Sequence, residues 1–136
     1  MCNHVNKKFI TAVFVVHVSF TDLVLILSIP MVAIHAAVAF ISLRYLTVPR
    51  PIGLPIAIYE SAYYILLLTY TLLNHYSAVL IGATALFLAI HVGGAYLYMS
   101  GALSYLSRNR SNIRRYGYYE AVELMFIIAV IGILIR

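Results

Sequence analysis

His91 stands near the middle of a 29-residue stretch that contains no charge, SAVLIGATALFLAIHVGGAYLYMSGALSY, residues 77–105. Counting threes and fours along a helix puts Thr84, Leu88, His91, Gly94, Ala95 and Tyr98 on one face, where the two small residues leave a hollow beside the imidazole. A flat cofactor or a quinone ring suits such a hollow. His35 falls at a similar depth in an earlier apolar run, and His17 lies further upstream. Two helix histidines facing each other across small side chains are all that bis-histidine ligation of a b-type haem asks of a protein, so His91, His35 and Gly94 are the candidate cofactor residues. The plain alternative is an imidazole that hydrogen-bonds a hydroxyl or carbonyl of a neighbouring helix. A separate ridge of small residues, Ala85, Ala89 and Gly93, predicts a close helix–helix contact.

The elements that must position these groups are membrane helices. The 136 residues are 64% apolar and 10% charged, with a mean hydropathy of +0.99. A soluble domain of this size needs more polar surface than that, which predicts an all-α integral membrane protein. No cleavage site of small residues follows the basic tail MCNHVNKK, so the apolar helices are expected to act as their own insertion signals. The single cysteine, Cys2, excludes an internal disulfide or a cysteine-built metal cluster within this chain.

In chain order, Phe9 to Phe20 is apolar but too short to cross a bilayer as a helix; it lies at the interface, extends the next helix, or pairs as a strand. Four spanning helices then follow at about 22–45, 56–73, 77–105 and 119–135, all in one polytopic domain. The first starts at Thr21-Asp22 and is kinked by Pro30. RYLTVPRPIGLP (44–55) reads as a rigid loop with Pro55 as the first helical residue, and Asn74-His75 as a tight polar link. SRNRSNIRRYGYY (107–119) reads as a loop whose Arg108, Arg110, Arg114 and Arg115 bind lipid headgroups beside a tyrosine belt; no nucleic-acid motif accompanies it.

On these boundaries Asp22, Glu60, Glu120 and Glu123 all fall near helix starts, where carboxylates complement the helix dipole. That leaves no midplane pair of carboxylates, no internal repeat and no HExxH, CxxC, GxSxG or phosphate-cradling loop, hence no catalytic constellation in the chain itself. Four helices put six basic residues on the side of the two arginine loops and three on the other. Five helices, with Phe9–Leu46 folded as a hairpin at Pro30, would give eight against one and obey the positive-inside rule better, but would sink Asp22 into lipid.

From Leu88 onward, LAIHVGGAYLYMSG followed by a basic loop and one last helix resembles the end of the membrane-anchor cytochrome b subunits of succinate dehydrogenase and fumarate reductase. The resemblance covers the last third of the chain and implies a haem b ligand at His91. Where that family carries a second histidine and an aspartate on the same helix, this sequence has Tyr98 and Ala102. His35 is followed by Ala36 rather than arginine, so no quinone site is carried over. The expectation is a small anchor or accessory subunit of a respiratory-type complex, contributing a haem ligand for electron transfer to quinone, in an inner mitochondrial or prokaryotic plasma membrane with other membrane subunits and lipids as partners. The rival expectation is a hydrophobic structural protein, an accessory scaffold or a viral envelope or capsid component, with its basic loop facing lipid or nucleic acid.

Overall fold

A computed structural model describes residues 18–102 and 110–136, and these form four helices: α1 (Phe20–Leu43), α2 (Arg50–Leu73), α3 (Ala78–Met99) and α4 (Arg110–Leu134). Each is long and apolar enough to cross a membrane. The chain is an all-α integral membrane protein. The earlier part of the N-terminal apolar segment, with His17, and the Arg108 part of the basic loop lie outside the described residues.

Local chemistry sets the ends. α1 opens on a capping box in which the Asp22 amide donates to Ser19 Oγ and the Ser19 amide donates to Asp22 Oδ2, both at 3.0 Å. It then runs unbroken through Pro30, so the described chain has no hairpin there and four spans rather than five. α2 begins earlier than its prolines suggested. Pro49 caps it and Pro51 lies in the first turn, where amides have no intrahelical acceptor, while Pro55 sits inside the helix. α3 is capped by Ser77 and ends at Met99 instead of 105; its 22 residues span ~33 Å, enough for a bilayer core. α4 takes in the arginine stretch from Arg110, because arginine is a good helix former and nothing in RSNIRRYG forbids the turn.

α1 packs along α4 and α2 along α3, and the two pairs meet through a looser α1–α2 contact. At Gly117, a Cβ would lie 3.0 Å from the Leu43 backbone nitrogen, so the absent side chain is what allows α1 and α4 to approach. Gly117→Val should therefore cost about 1–3 kcal/mol of stability. Gly132→Val, where a Cβ meets nothing within 4 Å, should cost almost nothing, and an unfolding titration in mixed micelles compares the two.

The bundle is apolar outside and mixed inside. Ile26, Ile29, Phe40, Ile65, Leu86, Val122 and Met125 face outward. The half of the interior away from the arginine end is filled by Met31, Tyr63, Tyr64, Leu67, Phe87 and Ile127. Tyrosine and serine hydroxyls join the pairs: Ser28 Oγ lies 2.9 Å from Tyr63 Oη, Thr21 Oγ1 lies 3.0 Å from Tyr70 Oη, and Tyr59 donates to the Leu27 carbonyl at 2.7 Å. Ala85, Ala89 and Gly93 point away from the bundle, so the expected small-residue contact is not made within this chain.

Candidate metal centre

Buried charge is concentrated in one layer. His35 on α1, Glu60 on α2, His91 on α3, and Glu120 and Glu123 on α4 are each at most 5% exposed. His35 lies eight residues from the end of α1, His91 eight from the end of α3, and Glu60 and Glu120 ten from the starts of their helices. At ~1.5 Å per residue that is ~12–15 Å below the arginine-bearing end, well inside a ~30 Å hydrocarbon core.

Their arrangement is ordered. The Nδ1 edge of each imidazole faces an outer carboxylate: His35 Nδ1 lies 2.6 Å from Glu120 Oε2, and His91 Nδ1 lies 3.0 Å from Glu60 Oε2. The Nε2 edges of both rings converge on one inner carboxylate oxygen. Glu123 Oε1 is 2.5 Å from His91 Nε2 and 3.4 Å from His35 Nε2. One donor atom from each of His35, His91 and Glu123 lies within 4.8 Å of the others. An Nδ1–H that donates outward leaves Nε2 with its lone pair directed inward, which is the tautomer a metal ion requires.

Aromatic rings hold the site from the packed side. Tyr64 lies parallel to His91 at 5.2 Å between centroids and 9° between planes, and Phe87 stacks beyond it at 5.7 Å. His35 and His91 themselves meet edge-on at 5.9 Å and 61°. Tyrosine hydroxyls reach the carboxylates, Tyr64 and Tyr119 at Glu123 and Tyr116 at Glu120, while His35 Nε2 is buried without a close hydrogen-bond partner. Buried groups of this kind carry a desolvation cost that ordinary packing does not offset.

Known protein families, characterised proteins and solved structures were compared with the chain. None matches.

The structure brings together His91, His35 and, at the wall of an adjoining cavity, Gly94. The expected α3 face is also found, with Thr84, His91, Ala95 and Tyr98 buried. The carboxylates are where expectation and structure part. Glu60, Glu120 and Glu123 do not sit at helix starts; α2 and α4 begin at Arg50 and Arg110, which carries the acids down to the depth of the histidines. A midplane cluster of carboxylates exists after all. Their side was legible: Glu60 continues the inward series Gly53, Ala57, Tyr64, Leu67, and Glu120 continues Ile113, Gly117, Ile127.

Among the headgroup candidates, Arg114 and Arg115 are exposed at the start of α4. Arg114 donates to Tyr45 Oη at 3.4 Å and lies over the Tyr118 ring at 5.7 Å, while Arg110 is the first residue of the helix. Arginine and tyrosine together at a helix end suit a headgroup boundary.

Glu120 and Glu60 hold the Nδ1 edges of the rings, with Glu60 Oε1 also 3.9 Å from His35 Nε2, farther than Glu123 is. Glu120→Gln and Glu60→Gln should therefore each weaken metal binding by about 10–100-fold without abolishing it. A competition titration with a coloured chelator measures this.

Proposed function

We propose that this protein is a small membrane subunit built around a divalent first-row transition-metal ion held by His35 Nε2, His91 Nε2 and the Glu123 carboxylate. The observation that carries the reading is the convergence of two inward nitrogens on one inward carboxylate, each ring braced from behind by its own glutamate. Two imidazoles and one carboxylate form the facial set typical of non-haem iron sites with open positions, and Glu60 and Glu120 are the outer carboxylates that orient such histidines. Charge points the same way. Three carboxylates buried in hydrocarbon are costly, and the two imidazoles paired with them would balance only two of the three charges even if both were protonated. A divalent cation removes most of that charge while leaving both imidazoles neutral.

Haem b, the cofactor implied by the family resemblance, suits this arrangement less well. A porphyrin between two axial imidazoles needs a flat gap between their Nε2 atoms. Glu123 stands in that position, within 3.4 Å of both nitrogens. The inward carboxylate thus favours a bare ion over a macrocycle in this reading.

A role within a larger complex is supported by how few residues of each span's most apolar stretch are buried within the chain, 22–33%. The remaining surface is left to lipid or to neighbouring subunits, and the assembly in this proposal is a respiratory-type one of a prokaryotic plasma or inner mitochondrial membrane. Electron transfer is a task such an ion performs, and catalysis on larger substrates then belongs to partner subunits.

A second reading is favoured by one contact. Without an ion, His91 Nε2 and Glu123 Oε1 at 2.5 Å must share a proton, so the layer also has the composition of an intramembrane proton relay. Metal analysis separates the two. The purified chain, loaded with Fe(II) or Zn(II) and desalted, should retain about one ion, and His91→Ala or His35→Ala should retain far less. An ion-free wild type under every loading condition would leave only the relay.

A further inference from the structure

Beside the cluster lies a cavity of about 110 Å³, lined among others by Glu60, His91, Gly94, Tyr98, Tyr116 and Tyr119. Its polar lining rises from the buried layer in one direction. Glu60 lies ten residues into α2 and Gly53 three, and the Tyr98 phenol oxygen lies so close over Gly53 that a Cβ there would come within 2.6 Å of it. The cavity therefore runs ~10 Å along α2, from the carboxylate to within one turn of the arginine-bearing end, where the Tyr98 ring and Val48 cover it.

The opposite direction is closed by packed side chains. Leu67, Phe87 and Ile127 are buried there, behind the Tyr64 ring that stacks on His91. Sideways the wall is thin: Ile56, Ile90, Gly94, Tyr116 and Tyr119, from three helices, keep some exposure, but hydrocarbon lies outside them. Only the arginine end adjoins an aqueous phase. Two polar groups of the lining are also short of partners. No hydrogen bond among the described residues uses Tyr98 Oη, and Glu60 Oε1 is 3.9 Å from its closest ion-pair partner, His35 Nε2.

We infer that this cavity is a water site, a short aqueous vestibule that joins the buried layer to the arginine side of the membrane and to that side alone. Volume, length and chemistry agree. At ~30 Å³ of liquid per molecule the space holds about three or four waters. Three waters between two fixed groups make four hydrogen bonds of ~2.8 Å, ~11 Å in all, which matches the rise from Glu60 to Gly53. Organic ligands need ~300–1,000 Å³, and an anion would meet the Glu60 carboxylate. An apolar molecule would leave the Tyr98 hydroxyl and Glu60 Oε1 buried without partners. Ionisable groups inside a membrane pair with one another or face a water-filled cavity, and this layer does both. The vestibule requires neither a bound ion nor a relayed proton.

Water-edited solid-state NMR on the full chain in lipid bilayers reads the site directly. Magnetisation from water should reach Ala57 and Gly94 at short mixing times. It should not reach Val92, which faces lipid at the depth of Ala57, nor Leu67 and Ile127 in the packed half. Ala57→Leu fills the space and should bring the Gly94 signal down to that of Val92; if that variant does not fold, Gly94→Leu, with the signal read at Ala57, takes its place. Tyr98→Ala should uncover the arginine end and speed the transfer to Ala57 while Ile127 stays dark. A wild type in which Ala57 and Gly94 are as dark as Val92 would overturn the water site, as would a folded, filled variant that responds like wild type. A signal at Ile127 equal to that at Ala57, or transfer unchanged by Tyr98→Ala, would overturn access from the arginine side alone.

Discussion

Glu123→Ala should abolish stoichiometric metal binding and destabilise the bundle by about 3–5 kcal/mol, the largest loss expected from any single substitution in this chain. Glu123 is the one residue that both Nε2 edges face. Its removal leaves two imidazoles and two carboxylates buried around an empty centre, with Glu60 Oε1, 3.9 Å from His35 Nε2, as the nearest remaining carboxylate oxygen on that edge. Glu123→Gln separates the two consequences. The amide keeps the shape and most of the packing but is a poor metal ligand, so ion retention should fall as in the alanine variant while stability falls much less. Unfolding titrations and metal analysis on both variants check the pair.

The second large effect has the opposite sign. Replacing the whole layer, His35→Leu, Glu60→Leu, His91→Leu, Glu120→Leu and Glu123→Leu together, should give a protein that inserts and folds at least as well as the natural one, with a gain of about 1–4 kcal/mol, and binds no metal. Breaking one member of a buried charged network strands its partners, whereas removing all of them removes the desolvation cost as well. A cluster kept at that cost is kept for what it does. Should the five-leucine chain fail to fold while inserting normally, the layer would be structural glue, and the functional reading would lose its main support.

The sequence revealed the architecture through hydropathy and the histidine pair through depth. It also gave the correct buried face of α3, since small and polar residues recurring at threes and fours around His91 mark a side that lipid would not select. It hid the acids for a specific reason. Prolines and arginines read as helix ends, yet Pro51 in a first turn costs no hydrogen bond, and Arg110 to Arg115 wind into a helix that emerges into the headgroups. Moving each helix start outward by one and a half turns or more turned three interfacial carboxylates into core residues. What no count along the chain could show is that His35 and His91 would turn their Nε2 edges toward the same oxygen, because that depends on how the α1–α4 pair sits against the α2–α3 pair.

The most direct test is X-ray absorption on the purified, Zn(II)-loaded protein in its native lipid or detergent. The account predicts about one ion per chain in a first shell of two imidazole nitrogens and carboxylate oxygen, with the imidazole signature lost in His91→Ala. A spectrum without imidazole ligation, or one unchanged in His91→Ala, would contradict it.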